Sequence, residues 1–319
     1  MGAAILVKKK SIHKMEIDKH LPPYSSIKIT SGVDRYGFSS ILANKLKMRI
    51  LPRSFANWVH GWAWWSEHTA ELLGCSDLPK NTSIIVNNEI ERNAIVAEGF
   101  KNTRAGGLPF AYIEKQHNFR NNEALLVMPP HSAEPKLGRL KSNQDHYFDY
   151  IESIKSDFEH VCISIHYLDI NTPMYYAAIR RGFKVIQGAN PSDANGLIRV
   201  RSIFDHFKYV TSNTMGSHVL YALYADCNFS FCGPFFSYPD IGLNSDEKYV
   251  KERFPKFFLS HPRIGLKDME FAVEAIGKKF ILQPEEIREA LGWTMSRQIN
   301  GYINGAGRKA NRYYNKLFV

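Results

Sequence analysis

The chain has 319 residues, of which 44% are hydrophobic and 23% charged, enough apolar surface to form two cores and too much for a disordered tail protein. No stretch reaches the ~18 to 20 consecutive apolar residues of a spanning helix, so a soluble or peripheral protein is expected. The formal net charge of +10 favours an anionic partner: phosphate, nucleic acid or a membrane face.

The chain starts Met1-Gly-Ala-Ala-Ile-Leu-Val7 followed by Lys8-Lys-Lys10, with charges after a short apolar run, unlike a secretory signal. Leu6 stands where N-myristoylation prefers Ser or Thr. Cys75, Cys162, Cys227 and Cys232 form no C-x-x-C pair and read as reduced thiols in a cytosolic protein. Ile27–Ile29 reads as a strand, followed by the glycine-bearing loop Thr30–Gly37, a helix over 39–46 and a strand-like Met48–Leu51. Phe55–Trp65 is an aromatic cluster around Val59-His60-Gly61-Trp62. Ser83–Val86 reads as a strand and Glu89–Ala97 as a helix closed by Gly99. Residues 105–113 read as extended, and the polar 114–122 as a linker.

The second half is more regular. Apolar runs at 124–128, 161–165, 183–186, 209–211 and 229–231 read as strands, with helical spacing between them at 149–158, 172–182, 194–207 and 215–224. Parallel strands need helical crossovers of this length, so the pattern predicts a doubly wound sheet. Ligands bind such sheets beyond the carboxyl ends of the strands, which directs attention to the loops beginning at His131, His166, Gly188, Ser212 and Gly233. Pro284-Glu-Glu286 opens a further helix, and a basic aromatic tail runs from Arg297 to Lys316. The expected class is therefore α/β and GT-B-like, two Rossmann-like domains facing a cleft. Their expected bounds are 1–118 for the acceptor, 119–290 for the nucleotide-sugar and 291–319 for a helix and tail.

The sharpest local signal is the run Val210 to Val219, in which a strand end leads through Ser212, Asn213 and Thr214 into a helix with Gly216 in its first turn. Free N–H groups and the positive end of the helix dipole converge there, with Ser217 and His218 close by, so a phosphate would be held. The same residues would serve any helix as caps. His131 and Ser132, after two rigid prolines, and His166 with Asp169 on the next rim are further donor-site candidates; Asp169 would take a sugar or ribose hydroxyl. A base to deprotonate an acceptor hydroxyl is expected from the first half: His60 first, Asp34 and Glu67 next. Trp58, Trp62, Trp64 and Trp65 are either sugar platforms or core. No D-x-D occurs, so no metal is expected, and P-loop, G-x-G-x-x-G, G-x-S-x-G and H-E-x-x-H signatures are absent as well.

With Leu126–Ser132, Ser212–His218 followed by Leu220–Leu223, Gly233-Pro234, and Gly99 with Gly106–Tyr112, residues 83–235 resemble bacterial surface-polysaccharide glycosyltransferases of capsule and lipopolysaccharide biosynthesis. Within that group the chain resembles the sialyltransferase-like and Kdo-transferase-like enzymes that use CMP-activated acidic sugars. That resemblance implies His131 and Ser132, and Ser212, Asn213 and Thr214, on the donor phosphate. The family's histidine is typically followed by proline, whereas here Pro129 and Pro130 precede His131 and the true pair is His261-Pro262. The resemblance implies no cofactor beyond a nucleotide-sugar donor, CMP-sugar favoured, a glycan or lipid-linked glycan acceptor, and a cytoplasmic place, peripheral on the inner membrane face. Alternatives are a UDP-, GDP- or dTDP-sugar transferase, a sugar-nucleotide epimerase or hydrolase and, distantly, a nucleic-acid binder using Arg308, Lys309, Arg312, Tyr313, Tyr314 and Lys316. Part of the positive charge is expected to line the donor cleft.

Overall fold

A computed structural model describes residues 17–131, 144–237 and 246–299. After a short helix α1 (Ile17–His20), the loop Gly32–Gly37 turns into α2 (Phe38–Lys45). The first sheet is parallel, in the order β1 (Ala56–Trp58), β2 (Ser83–Val86), β3 (Asn102–Ala105), with α3 (Glu89–Ala97) as the crossover between β2 and β3. Asn88 caps α3, its side chain accepting from the Glu91 N–H, and Glu89 puts negative charge on the helix's positive end.

The second sheet is built from β4 (Asn121–Met128), α4 (Asp145–Ser153), β5 (His160–Ile165), α5 (Pro173–Arg180), β6 (Lys184–Gln187), α6 (Gly196–His206), β7 (Phe207–Ser212), α7 (Ser217–Tyr224) and β8 (Asn228–Phe231). All its pairs are parallel, in the order β6-β5-β4-β7-β8. The order reverses between β4 and β7, which opens the crevice where doubly wound sheets bind ligands. Alternate β4 residues serve opposite faces: Leu125 and Val127 pack with Phe148, Ile151 and Ala178, and Ala124 and Leu126 with Phe204, Leu220 and Leu223. The second of these cores continues into the first lobe through Trp58, Ile85, Phe110 and Tyr112. The architecture is thus α/β and GT-B-like, two Rossmann-like lobes facing a cleft. After β8 come α8 (Glu247–Arg253), α9 (Met269–Ala275) and α10 (Pro284–Leu291).

Three expectations for the chain's layout need correction. Ile27–Ile29 joins no sheet: the Ile27 N–H donates to Ser192 O at 2.9 Å and Ser26 bridges Asp193, so this segment of the expected first domain lies on the second lobe. Met48–Leu51 is not a strand; Met48 packs on the core and the next apolar side chains face outward, Ile50 at 81% exposure. And α10, expected within 119–290, packs on the first lobe, where Leu291 O accepts from the Phe55 N–H at 3.0 Å and Ala290 O from Ser83 Oγ at 3.3 Å. Among the described residues no helix is long and apolar enough to cross a membrane. The Met1–Lys10 segment and the Arg308–Lys316 cluster lie outside the described residues.

Candidate donor cleft

A cleft of about 400 Å³ opens between the lobes at the reversal point of the second sheet. The ends of β4 and β7 supply Met128–His131 and Thr214–Gly216, β5 and β6 supply Ser164, His166, Gly188 and Ala189, and α7 begins on its wall with Ser217, His218 and Tyr221. Leu197, Val200, Ile203 and Phe204 of α6 make an apolar side, and Tyr36, His60, Gly61 and Trp64 close it from the first lobe. One end is therefore rich in N–H donors and the other greasy, the division a nucleotide or sugar phosphate requires.

His131 is exposed at the rim and its ring stacks on His166, centroids 4.6 Å apart. His166 Nδ1 accepts from the Leu168 N–H at 3.4 Å, which puts the proton of the neutral ring on Nε2. Burial, with the charge of His131 second, pushes the His166 pKa down to about 3, so it acts at neutral pH as an uncharged donor. His218 is held likewise at about 4 by burial first and His131 second. Gly188 is buried against Ser164 Oγ, 3.3 Å from where its Cβ would sit, so a larger residue would narrow the cleft floor.

Several candidates do other work. Ser212 is fully buried; its single hydroxyl proton is shared between the Met128 and Thr214 carbonyls, at 2.7 and 3.0 Å, and its lone pairs take the Thr214 N–H and His218 Nε2. It therefore positions His218 and the β4 and β7 ends and has no hydrogen left for a phosphate. Asn213 is a buried strut whose amide donates to Gln144 Oε1 and Pro234 O. Thr214 lines the cleft, whereas the Ser217 oxygen accepts from the Trp62 N–H at 2.8 Å and ties α7 to the first lobe. Asp169 is buried in the turn after His166 instead of on the rim. Ser132 lies outside the described residues. His261 stacks on Phe158 and bonds Asp157, before the amino end of β5 and away from the cleft, which leaves His131 as the rim histidine.

Of the three candidate bases, Asp34 is a buried cap whose Oδ2 accepts from the Thr30 N–H, the Thr30 hydroxyl and the Ser31 N–H. Glu67 is exposed and does not line the cleft. His60 does line it: Nε2 donates to Gly32 O at 2.7 Å, so the neutral ring keeps its lone pair on Nδ1, which is buried without a partner. Burial chiefly, and then Arg35, lower its pKa to about 4 against the pull of the Gly32 bond. Trp58 and Trp62 are core, Trp58 donating to Gly107 O at 2.9 Å, and Trp64 alone of the tryptophans meets the cleft.

Among the described lining residues none is Lys, Arg, Asp or Glu, so these residues do not supply the expected basic lining. The polar chemistry consists of four histidines, small hydroxyls and the α7 N-terminus. Sequence reasoning missed Tyr36, Tyr221 and the α6 wall; the last reads as an ordinary core face because its Leu197, Val200 and Ile203 spacing is that of any amphipathic helix. Among the described residues no group of three or more His, Cys, Asp or Glu is placed to hold a metal ion.

No known family's sequence pattern and no curated protein matches the chain. Among solved structures it is similar to a TarM variant from S. aureus in complex with fondaparinux, alpha-GlcNAc-glycerol and UDP, at 13% identity and TM-score 0.30 over 70% of this chain and 43% of that one. A second TarM crystal structure gives 13% identity and TM-score 0.28 over the same shares, 70% and 43%. The chain thus matches less than half the length of TarM.

Proposed function

We propose that this protein is a glycosyltransferase that binds a nucleotide-sugar donor in the interlobe cleft and transfers the sugar to a surface glycan. The observation that carries this reading is the coincidence, at the reversal point of the second sheet, of the α7 N-terminus with His131, His166 and His218, facing a histidine of the opposite lobe. The donor phosphate sits against the Gly216–Ser217 end of α7 and the His131 and His166 N–H groups, with His218 held behind them on Ser212, the nucleoside against the α6 wall, and the sugar toward Gly61 and Trp64. Leaving-group charge develops on the phosphate, so fixed uncharged donors there stabilise the transition state without reorganising. His60 takes the acceptor's hydroxyl proton on Nδ1, its tautomer set by Gly32 O. A surface-glycan acceptor is supported by the resemblance of the 126–132 and 212–218 runs. A CMP-activated acidic sugar is the favoured donor because one phosphodiester asks for less countercharge than a diphosphate, and none of the described lining residues is Lys or Arg; a UDP-sugar is the alternative.

Calorimetric titration with CMP, UDP, GDP and dTDP, followed by turnover of the matching sugar nucleotides with and without a glycan acceptor, tests the proposal. Saturable binding of one nucleotide and acceptor-dependent release of it are expected. Failure of all four to bind would remove the donor site, and turnover without acceptor would make the protein a hydrolase or epimerase.

His60→Ala is expected to lower kcat by about a hundredfold or more with the donor KM changed less than about threefold. In the wild type the base is neutral above its pKa of about 4, so kcat/KM is expected flat through neutral pH and falling only on the acid side of about 4. An acid limb centred on the ordinary histidine value of 6.5 would exclude His60 as the base.

A further inference from the structure

The surface formed by residues 47–53 and 295–299 keeps large apolar side chains in water. Ile50 is 81% exposed, Met295 79%, Ile299 52% and Leu51 42%. These belong to two segments that the fold fastens together. The Arg288 guanidinium donates to Leu46 O at 3.3 Å, Trp293 Nε1 to Ser54 Oγ at 3.1 Å, and Gln298 Nε2 to Arg53 O at 2.8 Å, while the Phe55 N–H reaches Leu291 O. Lys47 takes a left-handed conformation, φ +53°, at the end of α2, with its N–H on Asn44 O; Met48 then packs on the core and the chain beyond it carries Ile50 and Leu51 outward.

The charges on the same two segments have a single sign. Lys47, Arg49, Arg53 and Arg297 are exposed, and neither 46–55 nor 292–299 contains an Asp or Glu. Scattered exposed apolar residues are ordinary, but four on two clamped segments whose own charged residues are all cations mark an interaction surface. A protein partner large enough to cover such a patch normally brings mixed polar contacts, whereas an anionic bilayer needs the combination present here: apolar tips that enter the interface and cations at headgroup level.

We infer that this face docks peripherally on an anionic lipid bilayer, Ile50, Leu51, Met295 and Ile299 entering the headgroup boundary and the four cations pairing with lipid phosphates. The inference stands apart from the donor reading, since it uses none of the cleft residues.

The test is co-sedimentation of the full-length protein with phosphatidylcholine vesicles and with vesicles containing phosphatidylglycerol, at low and high salt. The wild type is expected to partition onto the anionic vesicles, less at high salt, and hardly onto the neutral ones. The Ile50→Asp, Met295→Asp pair and, separately, the Arg49→Gln, Arg297→Gln pair are each expected to lower the partition coefficient at least about tenfold. Both pairs leave Arg308, Lys309, Arg312 and Lys316 in place, so a loss belongs to the patch and not to the tail. Nucleotide titration and the melting temperature, both expected to match the wild type, show that the variants are folded. Absence of wild-type partitioning, or variants that partition as the wild type does, overturns the inference. So does a dimer in sedimentation equilibrium that Ile50→Asp dissociates while vesicles remain unbound, because a second copy would then cover the patch.

Discussion

Gly37→Ala is expected to lower the free energy of unfolding by about 3 kcal/mol or more and to impair donor turnover in whatever protein remains folded. Gly37 has φ +77°, where a side chain costs about 1 to 2 kcal/mol, and a Cβ there would lie 1.8 Å from Ala194 O and 2.3 Å from the Ala194 carbonyl carbon. Those atoms are backbone and cannot rotate away, so the 32–37 loop and the 189–196 loop would have to part. Their contact includes the Tyr36 N–H donating to Pro191 O at 2.8 Å and the close approach of Gly196, whose Cβ would be 3.0 Å from Tyr36 Cα. The same loop carries Tyr36 into the cleft and offers Gly32 O to His60, which links the packing of the lobes to the proposed base. Gly99→Ala separates the two contributions: φ is +94° but nothing lies within 4 Å of the added Cβ, so only the conformational cost of about 1 kcal/mol should appear. Urea unfolding of both variants decides the matter. If Gly37→Ala loses no more than Gly99→Ala, the loops are not docked as described.

Where a segment's partners were close in sequence, the sequence revealed them. The bounds of α3 follow from Asn88 as cap and from the stop at Gly99, and the five strands of the second sheet follow from apolar runs separated by helices of crossover length. Ile27–Ile29 and Met48–Leu51 have strand composition but no ladder to join: one lies against the loop at Asp193, the other on the surface. Composition does not say what a segment meets, and in both cases the missing information is tertiary. The candidate site divides along the same line. That the 131, 166, 188 and 212–218 loops converge follows from strand direction alone in a parallel sheet. Which side chains in those loops face the cleft does not. Ser212 and Asn213 turn back to satisfy carbonyls and an amide inside the protein, Asp34 accepts from the Thr30 and Ser31 N–H groups, and Ser217 is taken by Trp62. Hydroxyl, amide and carboxylate groups suited to a ligand are equally suited to the backbone beside them, so residue type marked the loop but not the role. His60 does reach the cleft, where its one bond, to Gly32 O, leaves Nδ1 buried without a partner.

The second large effect is on pH dependence and arises far from the cleft. Glu91 is fully buried in the first turn of α3, with Oε2 accepting from the Asn87 N–H at 2.9 Å and Oε1 buried without a partner. Burial pushes its pKa from 4.5 up to about 7, outweighing the bond from Asn87, which acts the other way. Below 4.5 the carboxyl is protonated in both folded and unfolded chains and has no effect on the balance. Between 4.5 and about 7 the unfolded chain releases the proton while the folded chain keeps it, so the unfolded state binds fewer protons and stability falls as pH rises. At ~1.4 kcal/mol per pH unit the loss amounts to about 3 kcal/mol and is complete above about pH 7. Glu91→Gln keeps the acceptor for Asn87 and cannot ionise, so it should match the wild type near pH 4 and exceed it by about 3 kcal/mol near pH 8. Because other titrating groups are common to both proteins, the difference between the two urea-unfolding profiles isolates Glu91. A difference that stays constant with pH would show that Glu91 does not titrate in this window. The location gives the effect a structural consequence as well: Asn87 O accepts from the Gly107 N–H and its amide donates to Ala275 O, joining the end of β2 to the turn after β3 and to the end of α9. Ionisation of Glu91 strains the turn that holds this joint, so the approach of α9 to the first lobe should loosen in the same pH window in which stability is lost, and amide exchange at Gly107 should rise with it.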